Sequence, residues 1–272
     1  MRLAQYRRAV KLPRHGFHGW TNKRRSGSKA IDVSVVVTCY NYERYLERTL
    51  QSVFAAAAPT LSVEVVMVDD DSSDTSLSVA RRILRNAPIP MRVLHNWWNV
   101  GVSQSRNMGL GQSTGEFVFI LDADNTIEPG ALVNLVDCAQ RAKADAAYGP
   151  IRRVTPEGLE LEAVSDRPFD PEFLIHQGNY IDAMALFRRT SLLAIGGYDV
   201  ELLPLIGGWE DYAVWLEFIR RRYRVAFRPR TVGRYLVKPD SMLRQITEDE
   251  QMRALQFLRS RYREFAPPVS GG

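Results

Sequence analysis

Segments with the patterns of buried strands and amphipathic helices alternate from residue 32 onward, and this alternation constrains the fold more than any other feature. The first strand-like segment, VSVVVTCY at 33–40, is β-branched and almost entirely apolar, as a strand covered on both faces must be. Apolar residues at helical spacing follow it, and then a second apolar run, VEVVMV at 63–68. The order repeats through MRVLHN at 91–96 and EFVFIL at 116–121. This β-α-β-α order predicts an α/β fold with a mostly parallel central sheet flanked by helices.

Two clusters of aspartates come directly after buried strands of this predicted sheet. Asp69, Asp70 and Asp71 follow the second strand, and Asp122 and Asp124 follow the strand that begins near Phe117. Ligands of open parallel sheets bind beyond the carboxyl ends of the strands, so both clusters are expected at the binding edge. An Asp-x-Asp pair is common by chance, and the shared position at strand ends is what indicates a site.

The pair Asp122 and Asp124 allows two interpretations. In an extended segment, residues i and i+2 project to the same side, so both carboxylates can face one divalent cation, which prefers oxygen ligands. In the alternative interpretation, Asp124 caps a short helix near Thr126. The cation interpretation predicts a metal-bound diphosphate, and the capping interpretation predicts a solvated turn.

The first aspartate cluster continues into a Ser-Ser-Asp segment and has two interpretations as well. A carboxylate at a strand end accepts hydrogen bonds from a base or a ribose in nucleotide sites. In the structural interpretation, Ser73 or Asp74 caps the helix that starts near Thr75. Both interpretations can hold, because they concern different residues.

Charge is distributed unevenly along the chain. Residues 1–31 contain nine of the 36 Lys and Arg and no acid, whereas residues 32–272 hold the other 27 together with all 31 acids. A basic arm of this kind is either a solvated tail or a segment that contacts anionic membrane surfaces. No zinc-finger spacing or nucleic-acid module is found, and no nucleic-acid partner is expected.

The remaining composition points to a protein of the cytoplasm. No apolar run approaches the roughly 20 residues of a membrane span, and the N-terminus lacks the apolar core of a signal peptide. Cys39 and Cys138, the two cysteines, suit a reducing compartment and have no metal-type spacing. The predicted location is cytoplasmic, and membrane-peripheral where the basic arm binds lipid.

The second half of the chain is less regular. A loop-rich stretch with four prolines at 150–173 is predicted to pass over the cleft, and 179–199 reads as a strand, a helix and a glycine stop. At 207–218, GGWEDYAVWLEF predicts a helix with two acids in its first turn, where the helix dipole favours them. An amphipathic helix is predicted at 247–265, and the last residues are predicted to be disordered.

Five segments together resemble the family 2 glycosyltransferases of the GT-A fold, in the order expected for that family. They are VSVVVTCYNYERYLERTLQSV, VEVVMVDDDSSDTS, NVGVSQSRNMGLGQSTGEFVFILDADNTIEPGAL, RRTSLLAIGGYD and GGWEDYAVWLEF. The resemblance implies a single Rossmann-like GT-A domain at 32–242, preceded by the basic arm 1–31 and followed by the C-terminal helix and tail 243–272. It implies an inverting enzyme of polysaccharide biosynthesis that moves a sugar from a nucleotide-diphosphate donor, most commonly a UDP-sugar, to a hydroxyl of a glycan or lipid-linked acceptor.

The resemblance also implies roles for individual residues, which are stated here as expectations. The residues expected to contact the nucleotide, ribose or diphosphate of the donor are Thr38, Tyr40, Asp70, Arg106 and Asp122. Asp124, together with Asp122, is expected to hold a divalent cation, Mn²⁺ or Mg²⁺. Asp211 is expected to be the general base, Glu210 is the second candidate for that role, and Trp209 is expected to form a wall of the acceptor site.

Two positions depart from the family pattern. Asp71 stands where a glycine is usual, and Lys238 stands where many relatives carry a histidine that completes the metal shell. A protonated lysine cannot ligate a metal, but its ammonium can contact the diphosphate, so Lys238 is assigned to donor binding. A solvated surface lysine is the alternative.

Two rival functions remain at this point. One is a catalytically idle relative that binds a nucleotide sugar, which the missing histidine suggests. The other is a nucleotidyltransferase with the same sheet order.

Overall fold

The structure is a computed structural model and describes residues 16–22, 30–202, 209–238 and 247–262 of the 272-residue chain. The strands of these ranges are β1 (Phe17–Thr21), β2 (Val33–Cys39), β3 (Val63–Asp69), β4 (Met91–Asn96), β5 (Phe117–Asp122), β6 (Thr126–Ile127), β7 (Ala146–Tyr148), β8 (Ile151–Val154), β9 (Leu186–Arg188), β10 (Val225–Phe227) and β11 (Gly233–Leu236). The helices are α1 (Leu46–Ala56), α2 (Ser76–Asn86), α3 (Val102–Gln112), α4 (Ala131–Ala142), α5 (Pro171–His176), α6 (Arg189–Ala194), α7 (Glu210–Arg220) and α8 (Glu248–Arg261).

Eight of these strands form one central sheet in the order β1-β4-β3-β2-β5-β9-β7-β10. Strands β2, β3, β4 and β5 run parallel to their neighbours among them, which confirms the predicted parallel centre. Strand β9 runs antiparallel to both β5 and β7, so the sheet is mixed on that side. Every residue of β2 and of β3 is buried, which explains why both sequences are mostly apolar.

Each face of the sheet has its own hydrophobic core. Val35 and Val37 of β2 face the core that includes Leu50 of α1. Val36 points to the opposite face, where it belongs to the core that includes Met108 of α3. Successive strand residues project to opposite faces, so an apolar strand of this kind requires helices on both sides, as predicted.

Strand β1 lies inside the segment that was predicted to be a basic arm. It pairs antiparallel with β4 along its whole length, from Phe17 opposite Asn96 to Thr21 opposite Arg92. The sequence FHGWT gives no apolar alternation, because this edge strand is mostly exposed, and so the sequence did not predict it. Residues 17–21 therefore belong to the sheet, whereas all nine bases of the arm lie outside the described residues.

A smaller sheet of β6, β11 and β8 lies apart from the central one. Strand β11 pairs antiparallel with β6 and parallel with β8. The predicted loop-rich stretch contributes β8 and the start of α5, and the predicted C-terminal helix is α8. The tail that was predicted to be disordered lies outside the described residues.

No helix within the described ranges has both the length and the apolar character that a membrane span requires. Cys39 and Cys138 are free thiols.

Candidate active site at the carboxyl ends of the strands

The ends of β2, β3 and β5 bring the predicted site residues to one edge of the central sheet. In the register of these strands, Cys39 of β2 lies opposite Asp69 of β3, and Thr38 lies opposite Asp122 of β5. The Thr38 hydroxyl donates a hydrogen bond of 3.2 Å to Asp122 Oδ1. Both aspartate clusters therefore lie at the same edge, as expected for a ligand site of an α/β sheet.

Asp70 is buried, and its carboxylate accepts three hydrogen bonds from the protein. The donors are Asn96 Nδ2 at 2.7 Å, the backbone N–H of Val100 at 3.0 Å and that of Gly101 at 2.9 Å. These bonds fix the loop that leads into α3. Because a carboxylate has about four acceptor positions, one remains for the base contact that the sequence predicted for Asp70.

Asp69 and Asp74 also have partners within the protein. Asp69 is buried and lies 2.8 Å from Nδ1 of His95, a histidine for which the sequence showed no partner. Asp74 accepts a hydrogen bond of 2.8 Å from the Ser76 N–H at the start of α2. The capping interpretation of Asp74 therefore holds in part, although Thr75 is the residue at the N-cap position.

Asp71 adopts a left-handed backbone conformation, with φ of 62°. Glycine is the usual residue for such a conformation, and Asp and Asn are the side chains that tolerate it best. This explains why an aspartate can stand at the position where the family usually has glycine.

Arg106 of α3 bridges two acids from different elements. Its Nη2 donates to Asp122 Oδ1 at 2.9 Å, and its Nη1 donates to Glu210 Oε1 of α7 at 2.6 Å. The guanidinium is buried and lies 5.2 Å from the ring centroid of Tyr198. Burial lowers the pKa of Arg106, but the charges of the two carboxylates outweigh it and raise the pKa above its usual value. The predicted contact of Arg106 with the donor stays a prediction.

The first turn of α7 gives its two acids different surroundings. Glu210 is engaged by Arg106, whereas Asp211 Oδ2 accepts a hydrogen bond of 3.1 Å from Asn179 Nδ2. Burial raises the pKa of Asp211 to about 7, and the neighbouring charge of Glu210 acts in the same direction. A carboxylate that titrates near neutral pH is suited to general base catalysis.

Asp182 is a further candidate for the site that the sequence did not single out. It precedes β9, and its Oδ1 accepts a hydrogen bond of 2.8 Å from the Met184 N–H. Burial raises the pKa of Asp182 to about 6, and the nearby charges of Asp122 and Asp124 also raise it. Strand β9 runs antiparallel to β5, so the residues just before β9 lie at the edge of the sheet where β5 ends. The sequence alone does not show this pairing.

Lys238 follows β11 and lies against Asp124. Its Nζ is 2.8 Å from Asp124 Oδ2, and the two side chains are 10% and 11% exposed. The ammonium lies 4.1 Å from the ring centroid of Tyr42 and 5.1 Å from that of Tyr45. The interpretation of Lys238 as a solvated surface residue is therefore wrong. Both tyrosines belong to NYERY, which follows β2 and lies within the first of the five segments that resemble the family.

The capping interpretation of Asp124 is also wrong. Thr126 belongs to strand β6, which pairs with β11, so no helix begins there. The following helix is α4, and its N-cap residue is Gly130.

The contacts of the Asp-x-Asp pair do not fit a resident divalent cation. Asp122 is held by Thr38 and Arg106, and Asp124 is paired with Lys238. Within the described ranges, no three side chains of His, Cys, Asp or Glu gather so that they could hold a metal ion. The prediction that Asp122 and Asp124 share a cation requires one of these bonds to open first.

The two aromatic residues predicted to contact substrates differ in exposure. Tyr40, just after β2, is 46% exposed. Trp209 precedes α7 in a left-handed conformation with φ of 69°, and its ring lies 6.2 Å from that of Tyr212. The buried indole N–H of Trp209 has no hydrogen-bond partner among the described residues.

Comparison with known proteins gives a consistent family match. Residues 34–196, more than half of the chain, match the model of glycosyl transferase family 2. The succinoglycan biosynthesis protein ExoO of Rhizobium meliloti is 30% identical over 161 residues, which are 59% of this chain and 44% of the relative. The poly(ribitol-phosphate) β-N-acetylglucosaminyltransferase TarS of Staphylococcus aureus is 33% identical over 160 residues, which are 59% of this chain and 28% of the relative.

Solved structures resemble the fold closely at low sequence identity. Residues 1–349 of S. aureus TarS in complex with UDP-GlcNAc align with a TM-score of 0.69 and 19% identity, over 85% of this chain and 66% of that one. The mannosyltransferase PcManGT of Pyrobaculum calidifontis, in complex with GDP-Man and Mn²⁺, aligns with a TM-score of 0.66 and 21% identity, over 89% of this chain and 67% of that one. The matches to the first three curated relatives span 33%, 44% and 62% of their lengths.

Proposed function

Since this chain belongs to glycosyl transferase family 2 and has the GT-A fold, we propose that it transfers a sugar from a nucleotide-diphosphate donor to a hydroxyl group of an acceptor. The observation that carries the proposal is the meeting of two acidic elements at one sheet edge. Asp122 and Asp124 lie at the end of β5, and Arg106 links Asp122 to the first turn of α7.

The proposed donor is a UDP-sugar. The TarS neighbours are in complex with UDP-GlcNAc or UDP, whereas PcManGT is in complex with GDP-Man, so the fold accepts more than one nucleotide. The exposed Tyr40 is proposed to cover the base, and Thr38 and Asp122 to meet the ribose. Asp70 has one acceptor position left for the N–H of a base.

Asp211 is proposed as the general base of an inverting transfer. The acceptor hydroxyl gives its proton to the Asp211 carboxylate while its oxygen bonds to the anomeric carbon. The bond from that carbon to the diphosphate oxygen breaks, and the electron pair leaves with the nucleoside diphosphate. Direct attack from the face opposite the leaving group inverts the anomeric centre. The pKa of about 7 and the hydrogen bond from Asn179 support this role.

The charge that grows on the leaving diphosphate needs a cation at the donor side. The neighbour PcManGT is in complex with Mn²⁺, but the contacts of Asp122 and Asp124 in this chain do not fit such an ion. The side chains that hold these two carboxylates in this chain are Arg106 and Lys238. Lys238 is therefore proposed to contact the diphosphate.

The acceptor is proposed to be a glycan or a lipid-linked saccharide of a polysaccharide pathway. Of the relatives, ExoO is named for succinoglycan biosynthesis and TarS for transfer to poly(ribitol-phosphate). Trp209 stands beside the proposed base with an unpaired indole N–H, which suits a wall of the acceptor site. Asp182 lies near the acid pair and is proposed to bind a hydroxyl of either substrate.

Turnover of a donor panel tests the proposal. The full chain is assayed with UDP-GlcNAc, UDP-glucose and GDP-mannose for release of the nucleoside diphosphate, with and without glycan acceptors. Asp211→Asn is expected to lower turnover by at least about 100-fold and to change nucleotide affinity less than about threefold. Asp137→Asn, at an exposed acid of α4, is the matched control and is expected to change neither.

Two outcomes favour the rival functions. Binding of a nucleotide sugar without turnover under every condition would support the idle relative. Greater thermal stabilisation by a nucleoside triphosphate than by any nucleotide sugar would support the nucleotidyltransferase.

A further inference from the structure

The position of Lys238 is the starting point, because a lysine is nearly buried beside the second acid of the Asp-x-Asp pair. The 2.8 Å distance from its Nζ to Asp124 Oδ2 is that of a charge-assisted hydrogen bond. Both side chains are about nine-tenths buried, so solvent screens this pair much less than a surface pair.

Two aromatic rings from the segment just before α1 also contact the Lys238 ammonium. The ring centroid of Tyr42 is 4.1 Å from Lys238 Nζ, and that of Tyr45 is 5.1 Å away. Both distances are within the range of cation–π attraction. The ammonium is thus held by one carboxylate and two aromatic rings, so several groups together define its position.

A divalent ion bound to Asp124 would occupy the position that the Lys238 ammonium holds. An ion bound to Asp124 sits about 2.0–2.2 Å from a carboxylate oxygen, so the ammonium would be left within a few ångströms of a double positive charge. The other carboxylate of the pair, Asp122, already shares its Oδ1 with Arg106 and Thr38. Arg106 therefore pairs with Asp122, and Lys238 pairs with Asp124.

We propose that the Lys238 ammonium, positioned by Asp124, takes the place of the divalent cation and binds the diphosphate of the donor directly. The donor then binds without a metal ion, and Asp124 acts as a positioning residue for the lysine. The inference rests on the proposed function, because it assumes a nucleotide-diphosphate donor. It adds to that function the group, the Lys238 ammonium, that stabilises the negative charge of the leaving diphosphate.

Calorimetric titration of the full chain with UDP and with GDP, each in EDTA and in Mn²⁺, tests the inference. For the nucleotide that binds more tightly, wild-type affinity is expected to differ less than about threefold between EDTA and Mn²⁺. Lys238→Met, which keeps the length of the side chain without its charge, is expected to weaken binding in EDTA by at least about tenfold. The matching monophosphate, UMP or GMP, lacks the second phosphate and is expected to lose much less affinity with the same substitution.

Lys238→His supplies a result that loss of folding cannot imitate. An imidazole beside Asp124 and Asp122 restores a nitrogen ligand, so Mn²⁺ is expected to raise the nucleotide affinity of this variant by at least about tenfold. Lys143→Gln, at an exposed lysine that ends α4, is the matched control and is expected to behave as wild type. Melting curves of each variant are recorded beside the titrations.

The outcomes separate the inference from the function. Wild-type binding that needs Mn²⁺ and is lost in EDTA would overturn the inference and leave the proposed function standing. Unchanged nucleotide affinity in Lys238→Met would also overturn it. Failure of the wild type to bind either nucleotide under any condition would overturn both.

Discussion

Arg106 holds acids that are 88 positions apart in the sequence, Asp122 at the end of β5 and Glu210 at the start of α7. The guanidinium and the Glu210 carboxylate are largely buried, whereas Asp122 is partly exposed, so Arg106 and Glu210 depend most on each other for charge compensation. The sequence identified all three residues as site candidates. It did not predict that they bind each other, because hydrogen-bond partners across elements are set by packing.

Arg106→Met is expected to destabilise the protein by about 3 kcal/mol, because it leaves the buried carboxylate of Glu210 and the partly buried one of Asp122 without their cation. Urea unfolding followed by circular dichroism measures the change. Arg82→Met, which removes the exposed pair of Arg82 with Glu47, is the control and is expected to cost less than about 1 kcal/mol. Equal losses in the two variants would contradict the structural importance of the bridge.

The raised pKa of Asp211 predicts how activity depends on pH. Its pKa is raised to about 7, so its carboxylate is free to accept a proton only above that pH. The kcat/KM for transfer is therefore expected to rise as pH increases from 5 to 7 and to level off near 8. A profile that is flat across this range, measured at a fixed donor concentration, would argue against Asp211 as the base.

The raised pKa of Asp211 also affects the stability of the fold, which is expected to fall with rising pH while activity increases. A carboxyl group whose pKa is higher in the folded than in the unfolded protein favours folding while it is protonated. This contribution is present at low pH and is lost as pH rises through about 7. Asp211→Asn is therefore expected to raise the melting temperature more at pH 8 than at pH 5.

At the scale of elements, the parallel strands could be predicted because burial on both faces leaves a clear apolar run in the sequence. Strands β2 and β3 are buried along their whole length. Strand β1 could not be predicted from its pattern, because it is an exposed edge strand with a glycine in its centre. The short strand β6 was equally hidden, since two residues carry no periodicity.

The site was predicted in part for a related physical reason. Strand ends of a parallel sheet meet at one edge, which placed Asp70, Asp122 and Asp124 correctly. The pairing of Asp124 with Lys238 depends on how β11 packs beside β6, and no local pattern records it. Asp182 was missed because its strand, β9, is antiparallel and only three residues long.

Strand β1 predicts a difference between two truncations. Deletion of residues 1–15 leaves the ladder between β1 and β4 intact, whereas deletion of residues 1–22 removes it and also removes Trp20 from its contact with Arg81. The longer deletion is expected to lower the melting temperature by several degrees and to promote aggregation through the exposed edge of β4. Differential scanning calorimetry and light scattering compare the two. Identical behaviour would show that β1 adds nothing to the sheet.

At the scale of the whole molecule, the positive charge lies unevenly along the chain. Residues 32–272 have more acids than bases, and the nine bases of residues 1–31 stand before and after strand β1 in the sequence. A segment with an excess of acids gains little from an anionic surface, so membrane contact is expected to depend on the arm alone.

Flotation with vesicles that contain phosphatidylserine measures this contact. The full chain is expected to float at low salt and to be released at about 0.5 M salt, because screening weakens the attraction of exposed charges. A variant with the nine bases replaced by glutamine is expected to stay with the soluble fraction under both conditions. Equal behaviour of the two proteins would show that the nine bases do not carry the membrane contact.

The bridge made by Arg106 joins the donor side of the cleft to the helix that carries the proposed base. A substrate that forms new bonds with Asp122 alters the hold of the guanidinium on Glu210, the immediate neighbour of Asp211. The two substrates are then not expected to associate independently. Because such coupling is reciprocal, each substrate is expected to change the affinity of the protein for the other.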